Sequence, residues 1–121
     1  VTTPTFRAAD LSDDDLEDWG PLEPPLATAQ GDPMPTRGLD LWVSDDEAIA
    51  TGTWQCDPGP SRWEFTENGE FIHVLSGRMT CTHDDGTAVE VGPGTTAVFP
   101  KGWAGTWEVH ETLRKVYVIF T

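Results

Sequence analysis

From residue 39 onward apolar and polar side chains alternate over short runs and never settle into a helical rhythm. The alternation predicts strands near 39–44, 48–56, 62–66, 70–76, 78–83, 88–91, 95–99, 105–110 and 114–120. Between them lie Asp-Pro-Gly-Pro at 57–60, Asn-Gly at 68–69, Ser-Gly at 76–77, Asp-Asp-Gly at 84–86, Gly-Pro-Gly at 92–94 and Pro-Lys-Gly at 100–102. Each of these either fixes φ or permits a positive one, so each predicts a turn. Short strands punctuated in this way predict an all-β sandwich or barrel.

Residues 1–38 follow another rule. They are rich in proline, glycine and acids, and allow one short helical turn at 12–19, capped by Ser12 or Asp13, before prolines end it. Phe6, Leu11, Leu16, Trp19, Leu22 and Leu26 recur too regularly for a plain linker. This predicts an extended arm lying on the barrel or on a second subunit, with a disordered acidic tail as the alternative. The organisation expected is an arm at 1–38 and a barrel at 39–121 within one domain, since 121 residues support one modest core.

Charge narrows the partners. Seven Lys and Arg against twenty-one Asp and Glu give −14, with net −9 in residues 1–46 and −5 in residues 47–121. Such a surface repels nucleic-acid phosphates and anionic membranes. No apolar run reaches the ~20 residues of a membrane span, and the first residues lack a signal-peptide layout, so a cytoplasmic location is expected. Val1 would suit a GTG start codon in a GC-rich bacterium. Cys56 and Cys81 lie in β-patterned stretches and are expected to be buried small hydrophobes rather than a disulfide or a reactive thiol.

Two stretches sharpen the fold. In EFIHVLSG, Glu70 stands seven positions before Gly77; in GTTAVFPKG, Gly94 stands six before Pro100, with Gly102 two later. In this order, separated by DDGTAVEVGPG, they resemble the two motifs of the cupin superfamily, small double-stranded β-helix or jelly-roll barrels. The finer pattern of GTWQCDPG, RWEF, FPKGWAGTWEV and ETLRKVYVIF is similar to the type 3 cupins related to the ethanolamine-utilisation cupin and, more distantly, to ureidoglycine aminohydrolase. The resemblance covers about residues 39–121 and implies a small-molecule site in the barrel.

A metal-binding cupin would carry two histidines just before the glutamate and another three residues after the Pro-x-Gly glycine. Here RWEFTENG precedes Glu70 and Gly105 holds the second position, so of the usual ligands Glu70 alone remains. Three lost imidazoles remove most of a transition ion's affinity. A loosely held divalent ion at Glu70 and Glu64 is the residual metal reading. His73 has the opposite strand parity to Glu70, and His83 and His110 lie near strand ends.

Strand parity groups Arg62 with Glu64 and Thr66, Trp103 with Gly105 and Trp107, and Lys115 with Tyr117. By the resemblance these faces turn inward, together with Trp54, and Gly105 would open room on the inner wall. The expected function is a small-molecule-binding cupin without histidine ligands and without a required cofactor. Its pocket would be lined by Trp54, Arg62, Glu64, Thr66, Glu70, Trp103, Trp107, Lys115 and Tyr117. The alternative is an isomerase, dehydratase, cyclase or hydrolase in which Glu70 and Glu64 transfer protons and Tyr117 or Lys115 stabilises negative charge. A non-catalytic interaction subunit is the third reading, and a homodimer is expected in each.

Overall fold

The computed structural model describes residues 1–121. It has nine strands: β1 Glu17–Pro21, β2 Thr28–Ala29, β3 Pro35–Val43, β4 Ile49–Cys56, β5 Gly59–Glu64, β6 Gly69–His83, β7 Ala88–Val91, β8 Thr96–Phe99 and β9 Ala104–Phe120. All pairings are antiparallel, and β6 and β9 pair with each other along nearly their whole length. The second half of β9 pairs with β4 and the first half of β6 with β8, giving the order β1-β3-β4-β9-β6-β8. The other halves continue as β2-β5-β9-β6-β7. Two long strands thus bend from one sheet into the other, and the molecule is an all-β jelly-roll barrel with an N-terminal arm.

The bend explains two differences from the sequence reading. The breaks expected at 76–77 and between 110 and 114 are bulges inside continuous strands, with register shifts at Val74/Ser76, Ser76/Arg78 and Arg78/Met79. Gly77 has φ +83°, and a Cβ there would overlap the Thr112 carbonyl. A β-bulge and a turn both ask for such a glycine, so the local sequence reads the same for each.

In the arm, 3-10 turns at Ala8–Asp10 and Asp13–Asp15 take the place of the helical turn expected at 12–19, and β1 begins at Glu17. The Ser12 N–H donates to the Asp15 carboxylate at 2.8 Å. Beyond the turns the chain joins the sheets, β1 along β3 and β2 along β5. The arm is clasped by Arg114, which faces Gln55 across the β4–β9 ladder. Its guanidinium donates to Gln55 Oε1 at 2.9 and 2.7 Å, to Asp13 Oδ1 at 3.1 Å, and to the carbonyls of Ala8 and Leu11. Gln55 Nε2 donates to Asp13 Oδ1 at 3.1 Å. The arm therefore buries an outward-facing arginine and glutamine that a bare barrel would leave in water.

The interior is apolar and strongly aromatic, built from Trp54, Trp63, Phe65, Phe99 and Trp107 with Met34, Ile72, Val74, Met79 and Leu113. Trp63 stacks on Trp107 at 3.8 Å between centroids, and Phe65 on Phe99 at 5.6 Å. In β5 the inward residues are Ser61 and Trp63, followed by Phe65 just beyond the strand. This reverses the expected parity of Arg62, Glu64 and Thr66, because burying two aromatic rings outweighs any gain from placing an arginine and a carboxylate inside.

Candidate functional site

The register puts Trp54 opposite Lys115 and Lys115 opposite Val74, with Glu70 opposite Ile119 further along the same inner face. Lys115 and Glu70 then meet across the barrel: Lys115 Nζ donates to Glu70 Oε2 at 2.5 Å, with side-chain exposures of only 2% and 3%. No hydrogen bond within the chain reaches Glu70 Oε1. The ammonium lies 4.4 Å from the Trp54 ring, 4.7 Å from Trp107, 5.6 Å from Trp63 and 5.9 Å from Tyr117. Electron-rich ring faces and one carboxylate together replace the water that such a charge loses on burial.

A pocket of about 80 Å³ opens beside this pair, walled by Trp54, Trp63, Tyr117 and Ile119 and covered by Trp19 and Leu26 of the arm. It adjoins a larger cleft of about 370 Å³ that shares Leu26, Glu70 and Ile119 and adds Glu64, Thr66, Glu67 and Asn68. The sequence does not single out Trp63 for the pocket, and it marks Trp19 and Leu26 only as apolar points of an arm lying on the barrel. The signal for Trp63 was the alternation in SRWEF, where the aromatics occupy the parity opposite the charges.

Of the nine residues expected in the pocket, Glu70, Lys115, Trp54, Trp107 and Tyr117 converge in the interior. Arg62 faces outward and binds Asp84 through two bonds of 2.5 and 2.8 Å, with Glu64 at 3.5 Å. Glu64 and Thr66 are exposed and reach only the rim of the outer cleft. Trp103 is half-buried and covers Gly105, where a Cβ would overlap the Thr82 carbonyl and approach the Trp103 ring to 2.6 Å. The room expected at Gly105 is thus filled by an indole and by the crossing of β6.

Tyr117 donates to Asp40 Oδ1 at 3.3 Å. Burial, reinforced by the Asp40 carboxylate, raises the phenol above its ordinary range, so it stays protonated at neutral pH. The Trp107 indole N–H is fully buried without a partner. Burial pushes both Cys56 and Cys81 thiols up to about 12, which suits inert core residues.

The donor set does not fit a transition ion. Nowhere do three His, Cys, Asp or Glu side chains converge. His73 bonds Thr96 at 2.9 Å, His110 bonds Thr80 at 2.7 Å, and His83 lies 3.0 Å from Asp85, each in a different place. At Glu70 the positive charge already comes from Lys115, which also opposes the loosely held divalent ion considered above. What the arrangement offers is a dry wall of indoles with one carboxylate and one ammonium at the pocket's edge.

The chain is similar to several solved barrels. A DUF861-family protein of unknown function from Pseudomonas syringae superposes with TM-score 0.72 at 19% identity, over 86% of this chain and 43% of its own. The chain therefore spans less than half of that relative. The Clostridium difficile EutQ protein gives TM-score 0.60 at 21% identity, over 72% of this chain and 68% of its own. Ectoine synthase from P. lautus gives 0.63 at 13%, over 70% and 63%. These likenesses speak for the fold. No curated protein matches the chain. Residues 43–117, more than half of the sequence and including both motifs with Glu70 and Lys115, match the EutQ-like cupin domain, and the chain belongs to that family.

Proposed function

We propose that this chain is a small-molecule-binding cupin whose ligand enters the barrel beside Glu70, held by the Glu70–Lys115 pair and the surrounding indoles without histidine-bound metal. The observation that carries the reading is the buried 2.5 Å ion pair at the wall of a pocket inside an otherwise apolar barrel. A buried pair is costly to keep and weak as a source of stability, and one that borders a pocket is placed to meet a ligand. The test is a screen of small metabolites by thermal shift, followed by two-dimensional NMR of the indole N–H signals. A true ligand raises the melting temperature and moves the Trp54 and Trp63 signals in wild type but not in Lys115→Met. Ligands that shift only surface indoles would sink the reading.

A second reading is acid–base catalysis in the same place, favoured by a proton donor and an acceptor in direct contact at the pocket edge. Its residues are Glu70 and Lys115. Glu64 is withdrawn from it, because that carboxylate is exposed and paired with Arg62. Under this reading Glu70→Gln retains binding and loses turnover; under the first there is no turnover to lose. We further propose that a homodimer uses the uncharged row Trp42, Thr51, Val118, Phe71 and Val98, aligned across the outer face of one sheet. Sedimentation of Phe71→Glu with Val98→Glu as a monomer, against a dimeric wild type, is the expected result.

A further inference from the structure

We infer that the ligand of this barrel mouth is a small organic cation. The inference rests on the ligand-site reading above and deepens it. Three features carry it: the charge of the outer cleft, the free oxygen of Glu70, and the neutrality of the inner pair.

The outer cleft is lined by Glu64, Glu67 and Glu70 with Thr66 and Asn68, and no Lys or Arg borders it. Arg62 is the nearby guanidinium, bordering a neighbouring cleft, and its donors are engaged by Asp84 at 2.5 and 2.8 Å and by Glu64 at 3.5 Å. Glu70 belongs to both the cleft and the inner pocket. It is 97% removed from solvent, and its Oε1 has no hydrogen-bond partner in the chain. Trp107 Nε1 is the one fully buried side-chain polar atom without a partner, so Glu70 Oε1 keeps a small opening to the cleft, where a donor from outside can reach it.

Charge balance decides the sign. Lys115 and Glu70 already neutralise each other, so an anion drawn to Lys115 would compete with a covalently tethered carboxylate and add negative charge beside two further glutamates. An ammonium or guanidinium in the cleft meets Glu64, Glu67 and Oε1 without disturbing that pair. The inner pocket of about 80 Å³, walled by Trp54, Trp63, Tyr117 and Ile119, then takes an uncharged end of a few heavy atoms. The ligand class is a short chain or ring with a cationic group at one end and an apolar or neutral group at the other.

The test uses three probes of equal length: n-butylammonium, 1-butanol and butyrate. Each is titrated into the full chain at 150 mM salt while the indole N–H signals of Trp54 and Trp63 are followed by NMR. Butylammonium is expected to bind at least tenfold more tightly than butyrate or butanol. The preference should fall severalfold in Glu64→Gln/Glu67→Gln. It should persist in Asp45→Asn/Glu108→Gln, which removes the same charge from exposed positions elsewhere. Equal or stronger binding of butyrate overturns the cation inference and leaves the interior site standing. An equal loss in both double variants also overturns it, because the attraction would then be that of the −14 chain as a whole. If no probe moves the Trp54 and Trp63 signals, the ligand-site reading itself fails.

Discussion

Removing the Lys115 ammonium while Glu70 remains would strand a carboxylate among indole rings. Lys115→Met is expected to cost about 3–5 kcal/mol, the usual penalty for orphaning a buried charge. Adding Glu70→Gln should recover much of it, and urea denaturation of the two singles and the double checks this as a cycle. Gly105→Ala, for which the Thr82 carbonyl and the Trp103 ring leave no space, is expected to lose about 1–3 kcal/mol. At this scale the sequence was readable where a motif or parity spoke for one position, as at Glu70, Lys115 and Trp107. It misled at Arg62, Glu64 and Thr66, whose polar chemistry suggests an inward face that the burial of Trp63 and Phe65 on the opposite parity forbids.

Between residue and fold stands the arm, whose segment before β1 takes most of its side-chain hydrogen bonds to the barrel from one guanidinium. Arg114→Leu removes the donors to Gln55, Asp13, Ala8 and Leu11 at once. Limited proteolysis should then cleave within residues 1–16 at least tenfold faster, with the β9 amides still protected from exchange. Unchanged cleavage would mean that β1 and the bonds from Gln55 and Arg37 to Asp13 hold the segment without Arg114. The arm's strands were not legible because Glu17–Pro21 and Thr28–Ala29 lack alternation of their own; they form on templates supplied by β3 and β5. The continuity of β6 and β9 was hidden for a different reason, since a bulge shifts the phase of alternation just as a turn does.

For the molecule as a whole, titration gives stability limits of known sign. Cys56 and Cys81 ionise near 12 when folded against about 9 when unfolded, so their contribution is complete below pH 9 and declines as pH rises toward 12. Tyr117 acts in the same direction. On the acid side the Thr87 backbone N–H and its hydroxyl hold Asp85 down at about 2, and the Arg62 pairing lowers Asp84. Their contribution is present above about pH 4 and lost on descent toward 2. Melting temperature against pH should therefore fall off at both ends, with the thiols unreactive to alkylation at pH 8 until denaturant is added. The jelly roll as a class was legible, because strand number, turn chemistry and two motifs agreed; the contents of its mouth came from contacts between strands far apart in sequence.

The position of β9 also bears on how the chain is made. Residues 104–120 form the strand that joins β4, β5 and β6, and every one of those partners leaves the ribosome first. Until β9 emerges, neither sheet has its middle, and strands such as Ile49–Cys56 wait for partners more than fifty residues downstream. Closure must then be late, non-local and comparatively slow. During that wait the nascent apolar strands stay tethered to residues 1–46, which carry eleven acids and two bases.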